Sequence, residues 1–213
     1  MEVSSTFRLP VRLTESKSIH LLTENMPNGK KVQILLEELR LASRLCWEMH
    51  LINLETDEQK KTWFLRLDPN GSLLLVYIAV SVMDSSAILL YIQEHYDSDD
   101  HFGFNSAEEK SQVLQWLFFW HAAVPIQGQT RHFNGKPAEP SPWKGIGKYS
   151  IADIGTWPHV RAYKSLGSTE EDMRLFPNLL GWISRIAARP AVQAGTCEKY
   201  DSEDNHSIVV RTN

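Results

Sequence analysis

Asn28 follows Pro27 at the point where an apolar helical period begins, and that placement gives its amide a chemical use. A carboxamide donates hydrogen bonds through its nitrogen but cannot act as a base. The start of a helix adds partial positive charge, so the combination suits an anion. An asparagine here can equally do no more than cap the helix, and residue type alone leaves both readings open. Asp84 and Ser85 stand together at the start of a second apolar helix. There a carboxylate can pair with an ammonium group, while the hydroxyl and the helix N–H groups can receive a carboxylate. A plain helix cap is again the alternative.

The remaining chemistry-bearing residues are less organised. Among eight histidines no pair has metal-ligand spacing with a third ligand nearby, so no metal site is expected. His121, Gln129, Arg131, His132 and His159 are candidates to face a pocket. The series Trp116, Phe118, Phe119 and Trp120 reads first as core, with some ring left to face an apolar ligand. Cys46 falls on an expected strand with no CxxC, which predicts a buried, inert thiol. No GxSxG, Walker loop or dinucleotide fingerprint is present.

Composition bounds what these residues belong to. The chain has 213 residues, 42% hydrophobic and 23% charged, the profile of a globular protein of one or two domains. A net charge of -4 and a pI near 6.1 offer no basic footprint for nucleic acid or an anionic membrane. Residues 1–18 hold no apolar run for a signal peptide, and two cysteines cannot build a disulfide framework, so a reducing cytoplasmic setting is expected. Leu73–Ile92 is long enough to cross a membrane. Asp84 within it would cost about 2.5–3.5 kcal/mol there, so two buried strands and a helix are expected instead.

The elements that must position the candidates follow from periodicity. A strand is expected at His20–Thr23, then a helix from Gly29 with Val32, Leu35, Leu36 and Leu39 on one face. Leu45–Leu51 alternates with period two, and "DPNG" at 68–71 is a turn in which Gly71 tolerates positive φ. A strand pair within 73–83 and a helix over Ser85–Tyr96 complete an α/β sheet of residues 19–97. The acidic run Asp97–Asn105 marks the boundary, and residues 106–200 read as all-helical. Ser106 with Glu109 and Ser150 with Asp153 make capping boxes, and Pro177 opens a helix that stops at Arg189-Pro190. Six glycines and prolines between Thr130 and Tyr149 predict no helix there.

The strings "PNGKKVQILLEEL", "DEQKKTWFLRLDPNG", "SSAILLYIQEHYD", "VLQWLFFWHAA", "GQTRHF", "GKYSIADIGTWP" and "RIAARPAVQ", in that order, give the chain a family resemblance. It resembles cytosolic glutathione transferases, in particular the fungal class named after the yeast nitrogen regulator and prion protein, over residues 19–200. Within that class it is similar to enzymes of fungal secondary-metabolite clusters, pseurotin biosynthesis among them. The resemblance implies a thioredoxin-like N-terminal domain and a shortened all-α C-terminal domain, with glutathione as cofactor. It implies that Asn28 donates to the glutathione sulfur and holds it as thiolate, lowering a thiol pKa that is about 8.5 when free. Asp84 and Ser85 would hold the γ-glutamyl end, Gln59 the peptide, and Leu73 the cysteinyl unit through its backbone. For Gln59 a solvated loop position is the plainer alternative, as it is for Lys60 beside it. Trp120, His121, Gln129 and His132 would line the site of a small hydrophobic electrophile.

Three departures accompany the resemblance. Leu74 stands where the family carries a cis proline, and a non-proline cis bond costs about 2.5–4 kcal/mol, so a trans peptide is expected. Asp84-Ser85 replaces a Glu-Ser pair, one methylene shorter. The long helix that the family places within 130–149 is missing. The implied reaction is thiolate attack on an α,β-unsaturated, polyketide-like metabolite, ending in cis–trans isomerisation, somewhat favoured, or in conjugation. A non-catalytic glutathione-binding or regulatory protein on the same fold is the alternative. A homodimer is expected, with no nucleic-acid or membrane partner.

Overall fold

A computed structural model describes residues 18–71, 74–78, 80–134, 148–165, 167–200 and 207–210. β1 (Ile19–Thr23), α1 (Pro27–Ser43) and β2 (Trp47–Leu51) open the fold. β1 and β2 are parallel, with Ile19 opposite Trp47 and Thr23 opposite Leu51, so the chain must cross over between them, and α1 is that crossover. A 3-10 turn at Glu58–Lys60 and α2 (Thr62–Leu67) lead to β3 (Leu74–Ile78), β4 (Val80–Met83) and α3 (Ser85–Tyr96). The apolar run after the turn therefore holds two strands and a helix, but β4 is largely exposed where a buried strand was expected, because it is the edge of the sheet; no described helix is long and apolar enough to cross a membrane.

Side-chain alternation sorts the sheet into two faces. Ile19, Leu21, Trp47, Met49, Leu74 and Val76 join the main core beneath α1 and α3, whereas Leu22 packs with Ile52, Phe64 and Leu67 under α2. The helical part is α4 (Ala107–Asn134), α5 (Ile151–Val160), α6 (Glu170–Arg174), α7 (Pro177–Ala187) and α8 (Pro190–Gly195). The capping box at Ser150 forms, its Oγ accepting from the Ala152 N–H (3.3 Å) while Asp153 returns to the Ser150 N–H (3.0 Å); at Ser106 the Oγ accepts from the Glu109 N–H (3.2 Å) and donates to the Glu109 carboxylate (2.6 Å). α1 packs on α5 and α8, so one continuous core joins sheet and helices. A C-terminal β5 (Ser207–Val210), outside both expected domains, adds antiparallel to β2 and gives a five-stranded sheet of order β4-β3-β1-β2-β5.

Four expectations change. Helix α1 begins at Pro27, whose fixed φ suits a first helical position, so Asn28 lies inside the first turn and Met26 is the N-cap. Cys46 is exposed, because the chain leaves α1 through a left-handed Arg44 (φ 58°) and pairing with β1 begins only at Trp47. Helix α4 continues through Thr130–Asn134, since the first breaker after Thr130 is Gly135; residues 135–147 lie outside the described set. The acidic run after α3 is packed: the buried Asp97 carboxylate accepts from the N–H groups of His101 (2.9 Å) and Phe102 (2.8 Å), seating Phe102 and Phe104 in the core.

Candidate functional site

Two helix starts meet at the end of the sheet. β1 ends at Thr23, and the chain turns directly into α1. A side chain at Gly29 would collide with Thr23 and stand 2.8 Å from the Glu24 carbonyl oxygen, so glycine is what lets this first turn press against the strand. No side chain caps α1, which leaves its first N–H groups to other partners. The second start is α3. Asp84, held at φ 74°, caps it by accepting from the N–H groups of Ser86 (3.0 Å) and Ala87 (3.2 Å) through Oδ1. That conformation is uncommon for a residue with a side chain and marks a strained corner.

Side chains from four helices converge here. Lys31, one turn after Asn28 and buried, donates to Ser85 Oγ at 3.3 Å. Ser85 Oγ donates in turn to Asn28 Oδ1 at 3.5 Å. His159 Nε2, from α5, reaches the same oxygen at 3.1 Å. His121, from α4, sits between Ser86 Oγ (3.0 Å) and Asp84 Oδ2 (3.4 Å).

The electrostatics are lopsided. Burial pushes Lys31 down to about 8, only partly offset by Asp84. Burial, then the positive fields of Lys31 and His121, hold His159 down at about 4, so its ring is neutral at pH 7. A neutral imidazole whose Nε2 faces a carbonyl oxygen must carry its proton on that nitrogen. With the amide oxygen placed toward it, His159 donates to Asn28 Oδ1, which leaves Nδ2 as the side that donates elsewhere. The arrangement offers donors and a cation to an anion, beside one half-exposed carboxylate, Asp84, suited to an ammonium group.

Asn28, Asp84, Ser85 and His121 are thus brought together as the sequence suggested. Gln59 is not joined to them: its Nε2 lies 3.5 Å from Asp57 Oδ1. Lys60 is exposed, as the plainer alternative has it, and its ammonium donates to the Gly71 carbonyl (3.1 Å). Leu73, and with it the peptide bond to Leu74, lies outside the described residues, as do the side chains of Trp120, Gln129 and His132 on α4. Lys31 was missed, although its i+3 spacing from Asn28 on a helix was the signal for it. The link from His159 to Asn28 spans 131 positions, and no local pattern announces it. One group with metal-ligand geometry does exist among the described residues, His20 with Glu48 and His50, which parallel strand register brings together.

No family model matches the chain. It is 31% identical to the Escherichia coli disulfide-bond oxidoreductase YfcG, over 78% of this chain and 88% of that protein. It is 25% identical to the glutathione S-transferase-like protein tpcF of Aspergillus fumigatus, over 83% and 93% of the two chains. Among solved structures, the glutathione transferase URE2P5 of Phanerochaete chrysosporium superposes with TM-score 0.70 at 28% identity, covering 85% of this chain and 94% of that one. A glutathione transferase homolog from Lodderomyces elongisporus, crystallised with two glutathione molecules per subunit, matches at TM-score 0.68 and 27% identity over 85% and 98%. The thioredoxin-like sheet with its helical partner is the fold these structures share, and the chain belongs to the glutathione S-transferase-like family.

Proposed function

We propose that the chain is a glutathione S-transferase-type enzyme that holds glutathione as thiolate and directs it at a hydrophobic, α,β-unsaturated metabolite. The observation that carries this reading is the pair of donors, Ser85 and His159, converging on the oxygen of Asn28 at the start of α1. They turn the amide nitrogen outward, where it donates to the glutathione sulfur with the helix field behind it. Asp84 takes the γ-glutamyl ammonium, and Ser85 and the α3 N–H groups take its carboxylate. Gln59 and the backbone of Leu73 serve the rest of the tripeptide. Trp120, His121, Gln129 and His132 line the second-substrate side along α4.

Addition of sulfur to the β-carbon turns the double bond into a rotatable single bond. Expulsion of sulfur returns the isomer and regenerates glutathione; proton uptake at the α-carbon yields the conjugate. The placement in fungal secondary metabolism and in the cytoplasm rests on the family resemblance. Exposed Val80 and Met83 on β4, with Leu114, Phe118 and Phe119 on α4, support a homodimer that covers apolar surface.

A second reading is thiol–disulfide exchange, favoured by the name of the E. coli relative. No cysteine belongs to the cluster, so glutathione would supply the attacking sulfur. One experiment separates these readings. The protein is incubated with glutathione and, in parallel, an α,β-unsaturated ketone or a small disulfide, following alkene geometry, adduct and free thiol. Isomer or adduct formation that falls at least tenfold in Asn28→Ala supports the proposal. Reduction of the disulfide alone favours exchange, and glutathione binding without any turnover leaves the binding-protein reading. Unchanged rates in Asn28→Ala sink the sulfur site.

A further inference from the structure

A second cluster of chemistry-bearing side chains lies away from the two helix starts, on the sheet face opposite α1. In the β1–β2 register His20 stands opposite Glu48 and Leu22 opposite His50. The period-two alternation of a strand then turns His20, Glu48 and His50 to one face. Their ring nitrogens and carboxylate oxygens lie within 4.8 Å of one another. His20 Nδ1 is 3.0 Å from His50 Nε2 and 3.9 Å from Glu48 Oε2. His20 is fully buried and Glu48 is 19% exposed, so one side of the group faces the core while the other reaches solvent. We propose that His20, Glu48 and His50 form a binding site for a divalent transition-metal ion of the zinc, nickel or copper class, bridging β1 and β2.

The donor set points to the ion. Two imidazoles and one carboxylate suit borderline metals, whereas magnesium and calcium prefer oxygen donors throughout. With bonds of about 2.0–2.1 Å, tetrahedral ligand atoms stand about 3.4 Å apart, and the two separations quoted above bracket that value. Closure needs small side-chain rotations and no backbone movement, since the strand register already sets the spacing. With the His20 proton on its buried Nε2, the hydrogen shared with His50 belongs to His50 Nε2 and moves through solvent to His50 Nδ1, so His20 Nδ1 and His50 Nε2 both face the metal without net proton loss. Three protein ligands leave a fourth position for water, and the ion ties two strands that pair side by side. This site does not depend on the glutathione reading.

The test uses the full chain, purified without a histidine tag and stripped with chelator. Zinc is titrated by calorimetry, and cobalt is titrated as a spectroscopic probe of four-coordinate geometry, with magnesium as control. One saturable equivalent of zinc, visible cobalt ligand-field bands, and a zinc-dependent rise in melting temperature are expected. His50→Ala and Glu48→Gln should each weaken binding at least tenfold while circular dichroism stays that of the parent. Glu48→Gln, isosteric and at the sheet surface, keeps the test open if His50→Ala folds poorly. Absence of saturable zinc binding overturns the proposal, as does zinc affinity that neither variant changes.

Discussion

Helix α1 carries two buried polar networks, one at each end, and they are built on opposite principles. Toward its C-terminal end, Glu38 holds Arg189 in a two-pronged ion pair (2.6 and 3.0 Å), and the guanidinium lies 3.8 Å over the Tyr149 ring. Beside it Glu37 accepts from Arg40 (2.7 Å) and from the Tyr200 hydroxyl. Each carboxylate there has its cation, and Glu38 raises the Arg189 pKa. At the N-terminal end a buried lysine is pushed down to about 8, a histidine is held neutral with its pKa at about 4, and the carboxylate among them is half exposed. The first network is complete as it stands. The second leaves its lysine on a hydroxyl and its carboxylate half in water, and is completed by a ligand that brings both signs of charge, which is the pattern of a binding site more than of a structural clamp.

Substitutions should separate the two networks, and the largest effect belongs to the complete one. Arg189→Ala leaves Glu38 buried without its cation. Complete burial would put that near the upper range for broken ion pairs; the partly exposed arginine reduces it to about 2–3 kcal/mol. Urea unfolding should show a lower midpoint at unchanged slope, with glutathione affinity of the folded protein retained. An equal loss of stability in Asn28→Ala would erase the distinction between the networks.

Acid should act on the other end of the helix. Folded His159 takes a proton near pH 4 and an unfolded histidine near 6.5. Between those values the unfolded chain binds more protons, so stability rises with pH across the window and is lost as pH falls toward 4. A fully buried ring would contribute about 3.4 kcal/mol, and the partial exposure of His159 reduces that to on the order of 2 kcal/mol. His159→Phe should flatten the stability profile between pH 4 and 6.5, measured by urea unfolding at each pH. A profile as steep as the parent's would show that the ring is not held neutral by burial.

Much of this was legible along the chain, and the boundary follows interaction range. Capping boxes, the first helical face and the split of Leu73–Ile92 into strands and a helix are local, set by spacing within a dozen residues. The start of α1 was misplaced by two positions because Pro27 reads as part of a turn until the following residues are seen to be helical. Lys31 is local too and was within reach. His159 on Asn28, and His20 beside Glu48 and His50, depend on helix packing and strand register across long separations, which no period encodes. β5 was invisible for the same reason, since a short apolar run becomes a strand only where an edge of β2 is available.

Next in size is the sulfur donor itself. Asn28→Ala should lower turnover tenfold or more, about 1.4 kcal/mol of barrier, while changing stability by no more than about 1 kcal/mol. The small stability term follows from Met26, not Asn28, being the N-cap. Chemical denaturation and initial rates on the same preparation measure the two numbers.

The smallest effect should come from Asp84, whose roles can be pulled apart by a single atom. Asn at this position still accepts from the Ser86 and Ala87 N–H groups and tolerates the positive φ, so α3 keeps its cap. What Asp84→Asn removes is the charge, and with it the partner for an ammonium group and the counter-field to Lys31. Because the carboxylate is 48% exposed, water already screens it, and an ion pair there contributes only about 0.5–1 kcal/mol. Glutathione affinity by calorimetry should therefore weaken about two- to fivefold, with the rate at saturating glutathione nearly unchanged. Lys31, having lost the field that supported its charge, should titrate lower still, which lysine-selective isotope labelling and NMR would detect as a shift of its midpoint. A variant that lost saturated rate but kept affinity would place Asp84 at the reacting atoms, and the division of labour between Asn28 and the start of α3 would have to be redrawn.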